Sequence, residues 1–153
     1  MIMFKKAGLF MLLLLVCILS SACSTPGTLK LYCHNRPYYL PRTTNKGLMF
    51  IYREPTSLAK NRGIYINAGS ARIGGVNNGT YFVYEADPGR VELSVENKFK
   101  KSPAYAVNIE SGKYYFFRVG FSDGLWDYEP FIMRVQDAVG KIVIPSLIYA
   151  TLE

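Results

Sequence analysis

The chain has 153 residues, with 18 Lys and Arg against 11 Asp and Glu, one His and three Cys, and a formal net charge of +7. One histidine leaves little material for a Ser-His-Asp set, and basic residues scattered along the chain, with Lys98 to Lys101 as the one cluster past the leader, do not make a nucleic-acid footprint. The length suits a single hydrophobic core.

Lys5 and Lys6 precede an apolar run from Ala7 to Leu19, which stops at Ser20 and Ser21. A spanning helix needs about 20 apolar residues, so the run reads as a removable signal peptide rather than a membrane span. Small residues then lead to Cys23, and Ser20-Ser21-Ala22-Cys23 resembles the bacterial lipobox, with Leu19 one place earlier than the usual Leu. That resemblance implies lipid attachment at Cys23: a diacylglycerol and an N-acyl chain whose several tails together hold a protein on a membrane durably. Retained inner-membrane lipoproteins tend to carry Asp after the cysteine; Ser24 stands here, which implies a lipid anchor in the outer membrane, facing the periplasm. Plain secretion is the alternative, and it leaves Cys23 free to bond Cys33. Cys17 departs with the signal in either case. Cys33-His34 has no later Cys or His to complete a metal set, so no metal and no cofactor is expected.

The organisation expected is a signal peptide over 1–22, a tether and lead-in over 23–46 with one short strand at Thr28 to Cys33, and a β-sandwich domain over 47–153. Strand compositions follow in order at Gly47 to Glu54, Gly63 to Gly69, Thr80 to Ala86, Arg90 to Glu96, Tyr105 to Glu110, Lys113 to Phe121 and Phe131 to Val135. Between them, Asn67 to Ser70, Asn77 to Gly79, Asp87 to Gly89 and Glu110 to Gly112 carry turn residues that predict antiparallel hairpins. Val91, Leu93 and Val95 alternate with polar neighbours, so that strand has one buried face, whereas Lys113 to Phe121 is apolar on both faces, as a central strand would be. No amphipathic helix stands out. At the C-terminus Val139 to Ile144 suits a strand interrupted by Pro145, and Ser146 to Leu152 reads either as a closing edge strand or as a short helix.

Tyr52-Arg53, then Ile73-Gly74, Asn78-Gly79-Thr80-Tyr81-Phe82 and Pro88-Gly89, then Gly112-Lys113-Tyr114-Tyr115 and Arg118 come in an order and spacing that together resemble a family of small bacterial lipoproteins. The family is the domain of unknown function numbered twenty-eight forty-six. The strand-turn-strand order is also similar to PEGA-type modules, which implies an all-β fold, a small immunoglobulin-like antiparallel β-sandwich with binding or scaffolding roles. The resemblance supplies no reaction and no catalytic residues. It runs from about Gly47 to Val135 and weakens at the apolar C-terminus.

Gly69 to Val76 has glycines at phosphate-loop spacing but lacks the following Lys and hydroxyl, so it reads as a hairpin. Phe121 to Pro130 gathers Asp123, Asp127 and Glu129 around Trp126, the only tryptophan. It reads as a long loop with Trp126 packed over a sandwich end; as a contact surface for an envelope protein or glycan partner, Trp126 and Tyr128 would be the anchors. Lys98 to Lys101 reads as a solvated loop between strands, with anionic lipid headgroups as the other reading. The expected function is a non-enzymatic, membrane-anchored envelope lipoprotein. The alternative is a cell-wall glycan or lipid hydrolase using Asp123, Asp127 and Glu129 as its acidic site.

Overall fold

The computed structural model describes residues 45–124 and 127–150. Cys23, Cys33, His34, the tether strand at Thr28 to Cys33 and Trp126 lie outside the described residues. The strands are β1 (Gly47–Tyr52), β2 (Ile64–Ala68), β3 (Ala71–Val76), β4 (Thr80–Ala86), β5 (Gly89–Glu96), β6 (Tyr105–Ile109), β7 (Tyr114–Ser122), β8 (Glu129–Val135) and β9 (Ile148–Tyr149). One helix, α1 (Asp137–Val143), and a 3₁₀ turn (Ile144–Ser146) separate β8 from β9. Two sheets form a sandwich, ordered β8-β7-β1-β4-β9 and β3-β2-β5-β6.

Gly69, Gly79, Gly89 and Gly112 all hold positive φ, but only the turn at Asn67 to Ser70 makes the expected hairpin, β2 to β3; those at Asn77 to Gly79, Asp87 to Gly89 and Glu110 to Gly112 carry the chain from one sheet to the other, because turn residues set a reversal and not the sheet the next strand joins. At Gly79 (φ 77°) the turn is pinned by its own N–H, which donates to the Arg53 carbonyl at 3.1 Å. β3 is a strand that the sequence conceals, because Gly74 and Gly75 depress its strand character. Gly74 has a packing reason: a Cβ there would lie 2.3 Å from the Phe82 ring, which crosses from the opposite sheet to fill the core.

The four-stranded sheet is antiparallel throughout, but the five-stranded sheet is mixed. β1 runs antiparallel to β4 and parallel to β7, and β9 runs parallel to β4. Local turn chemistry reports only sequential neighbours, and these parallel pairs join strands far apart in the chain.

Side-chain alternation explains the two cores. Met49 and Ile51 point into the sandwich with Ile64, Ile66, Phe82, Leu93, Val95, Phe117 and Val119. Leu48, Phe50 and Tyr52 point the other way with Phe116, and this outer face needs its own cover. The C-terminal segment provides it: Ile144 is fully buried there, a contribution of about 1.5 to 3 kcal/mol for one such side chain. Val139 to Val143 is therefore helical rather than the strand its composition suggests, since a helix laid across the sheet can bury Ile144 on Phe116 while leaving Ile142 in solvent. Ile148–Tyr149 then closes the edge as a strand, one of the two forms expected.

Candidate contact surface at one end of the sandwich

β1 ends in Tyr52, and the next residue, Arg53, is 1% exposed. Its guanidinium donates from NH1 to the Arg62 carbonyl and from NH2 to the Leu58 and Ala59 carbonyls, at 3.1 and 2.9 Å. It also lies 5.0 Å above the Phe121 ring. Desolvation pulls its pKa below the usual arginine value. Arg53 thereby folds the loop between β1 and β2 around itself. The geometry tolerates Ala59 at φ 49°, a left-handed conformation costing about 1 to 2 kcal/mol that the bonds to its carbonyl and neighbours offset.

That loop delivers Arg62 to the surface. Arg62 pairs with Asp127 Oδ1 at 2.7 Å, and its guanidinium carbon lies 5.1 Å from the Tyr128 ring and 5.6 Å from the Phe99 ring. Three loops therefore meet on one cation: β1–β2, β5–β6 and β7–β8. In the β5–β6 loop, Asn97 Oδ1 accepts from the N–H groups of Phe99 and Lys100 at 2.8 and 2.7 Å, and this tight turn leaves Phe99 66% exposed. Lys100 reaches across to Glu129 at 3.2 Å. Lys98 to Lys101 is thus a loop between strands that touches the acidic segment.

Of the two residues expected as partner contacts, Tyr128 is described and half-buried. One side of it packs on the inter-sheet core and against Phe121, with ring centroids 6.5 Å apart; Arg62 lies over the ring. Tyr128 is both a wall of the core and part of the surface.

Two of the three acidic residues of this segment, Asp127 and Glu129, have cationic partners. Asp127 Oδ1 accepts from the Tyr128 N–H at 2.8 Å as well as from Arg62, and these donors hold its pKa below the ordinary value, the Tyr128 N–H contributing most. Glu129 is turned to Lys100. Among the described residues no three His, Cys, Asp or Glu side chains come close enough to hold a metal ion. Arg53 and Arg62 were missed by sequence reasoning. The one signal was the basic character of Asn61-Arg62-Gly63 between strands, which is indistinguishable from any solvated loop.

The fold is a two-sheet β-sandwich with charged and aromatic loops gathered at one end. The chain belongs to the family described as Protein of unknown function (DUF2846), whose model matches residues 43–129. No curated protein matches the chain. The matched span takes in β1 to β7 and all three loops of the contact surface, while most of β8, α1 and β9 lie beyond it.

Proposed function

We propose that this protein is a membrane-anchored envelope lipoprotein of binding or scaffolding type, attached through lipid on Cys23 and facing the periplasm from the outer membrane. The observation that carries the reading is the leader: Lys5 and Lys6, the short apolar run Ala7 to Leu19, and Ser20-Ser21-Ala22 immediately before Cys23. Between Cys23 and the first described strand at Gly47 there is chain enough for a tether that lets the sandwich stand off the bilayer. No helix among the described residues is long and apolar enough to cross a membrane. The partner, an envelope protein or a glycan, is met by the sandwich end around Phe99, Arg62 and Tyr128, where an exposed aromatic ring sits among cations. Binding rather than hydrolysis is supported by Asp127 and Glu129, which are committed to Arg62 and Lys100.

Labelling cells with radioactive palmitate tests the anchor. The wild-type chain takes up label and sediments with membranes, and Cys23→Ala loses both; label surviving in the variant overturns the assignment. Envelope cross-linking of the wild-type chain, compared with a Phe99→Ser variant, tests the contact surface.

A further inference from the structure

The chain enters the sandwich at the end opposite the contact surface. Gly47, where β1 starts, is level with Ala86, and just before it the Lys46 carbonyl accepts from the Gly112 N–H at 2.9 Å while the Lys46 ammonium lies 3.6 Å from Asp87. β1 runs from there to Tyr52, level with Tyr81 and Arg118, and the loops that carry Arg62, Phe99 and Asp127 leave from that far end. A sandwich standing off on its tether therefore turns this surface away from the bilayer that anchors it.

The β5–β6 loop is built to keep Phe99 outside. Asn97 Oδ1 holds two N–H groups of the turn, and at the base the Ser102 N–H donates to the Val95 carbonyl at 2.7 Å while the Ser102 hydroxyl accepts from the Val95 N–H at 3.0 Å. Among the described residues of the three loops, Phe99 is the one large apolar side chain that is exposed. A standard protein interface covers about 800 Å² on each partner around an apolar centre, more than one ring supplies.

Charges around the ring are mixed, with a positive surplus. Asp127 and Glu129 are paired with Arg62 and Lys100, and Lys101 lies beside Glu96, whose carboxylate is already bonded to Arg72 at 2.6 Å. Among the described residues Lys60, Lys98 and Lys101 are left without an ion pair, against Asp123 alone on these loops. Lys98 Nζ lies 5.8 Å from the Phe99 ring, on a flexible stem that can swing to a ligand. Anionic lipid headgroups are drawn to such lysines but repelled by the carboxylates of Asp123, Asp127 and Glu129 beside them. Hydroxyl groups are not repelled, because they donate to carboxylates.

Resting on the reading of this end as the contact surface, we propose that its partner is an acidic glycan. A sugar ring lies on Phe99 with its C–H groups against the negative face of the aromatic ring, carboxylates of the polymer pair with Lys98 and Lys101, and hydroxyls donate to Asp123.

Isothermal titration of the detergent-solubilised full chain with hexagalacturonate, a sugar chain with a carboxylate on every ring, tests it. The controls are chitohexaose, which has the rings without the acids, hexaglutamate, which has the acids without the rings, and glycerol phosphate, the headgroup chemistry of an acidic lipid. Hexagalacturonate binds more tightly than all three. Phe99→Ser weakens it by about tenfold with the melting temperature unchanged, and Lys98→Gln with Lys101→Gln weakens it by about tenfold and flattens its dependence on salt. Absence of heat with hexagalacturonate, or any control binding as tightly, overturns the proposal, as does binding that Phe99→Ser leaves unchanged. The titrations do not involve the lipid, so loss of the Cys23 assignment leaves them standing. A protein cross-link that requires Phe99, without glycan binding, overturns the glycan and keeps the surface.

Discussion

Replacing Gly140 by Ala should destabilise the protein, against the ordinary rule for helices. In a helix interior Ala is favoured over Gly by about 1 kcal/mol. Here the new Cβ would lie 2.2 Å from Phe116 Cγ, 2.3 Å from Cδ1 and 2.6 Å from Cβ. The obstruction is the root of the side chain, so no rotamer change clears it. Phe116 is fully buried and stacked on Phe50, with centroids 5.0 Å apart, and has no space to retreat. Relief requires lifting α1 from the sheet, which loosens Ile144 from the outer core. Overpacking of this kind costs up to about 3 kcal/mol, and subtracting the propensity gain leaves about 2 kcal/mol. For a domain of this size that is a fall in melting temperature of roughly 8 to 16 °C. Urea denaturation and thermal melts followed by circular dichroism measure it, with Val139→Ala on the exposed side of the same helix as the control, expected within about 0.5 kcal/mol of wild type. A Gly140→Ala protein as stable as wild type, or more so, would refute the seating of α1 on Phe116 as the reason for glycine.

Gly79→Val should cost about 1 to 2 kcal/mol, because φ 77° places a β-branched residue in the left-handed region; a denaturation midpoint equal to wild type would remove the turn as the cause. Tyr128→Ala should lose about 2 kcal/mol, roughly half the cost of truncating a fully buried aromatic, whereas Phe99→Ser should leave the melting temperature unchanged and act only on partner cross-linking. Asp127 and Glu96 both have folded pKa values below the ordinary carboxylate values, Glu96 chiefly through its bond from Arg72. The unfolded chain therefore takes up protons first as the solution is acidified. Their contribution is complete at neutral pH and is lost as pH falls below about 4 through the folded values, so Asp127→Asn should flatten the acid limb of a melting-temperature profile.

The strand compositions and the turn residues were legible in the sequence because each is a local property. Val91, Leu93 and Val95 announce a half-buried strand whatever they pack against, and Asn78-Gly79 announces a turn by what its backbone tolerates. The order of strands within one sheet was not legible. Nothing local to Leu48 or Tyr114 says that they lie side by side in parallel, since that pairing is decided by which apolar faces must be covered once the chain has passed through the second sheet. Asp137–Val143 shows the same limit: its β-branched residues favour a strand, and the exposed outer face of β1 and β7 makes a helix of it by rewarding Ile144 with burial. The candidate sites divide likewise. Phe99 among its lysines and the acidic loop were visible as clusters, but Arg62 belongs to the surface only because Arg53, buried under Phe121, fixes the carbonyls of the loop that carries it.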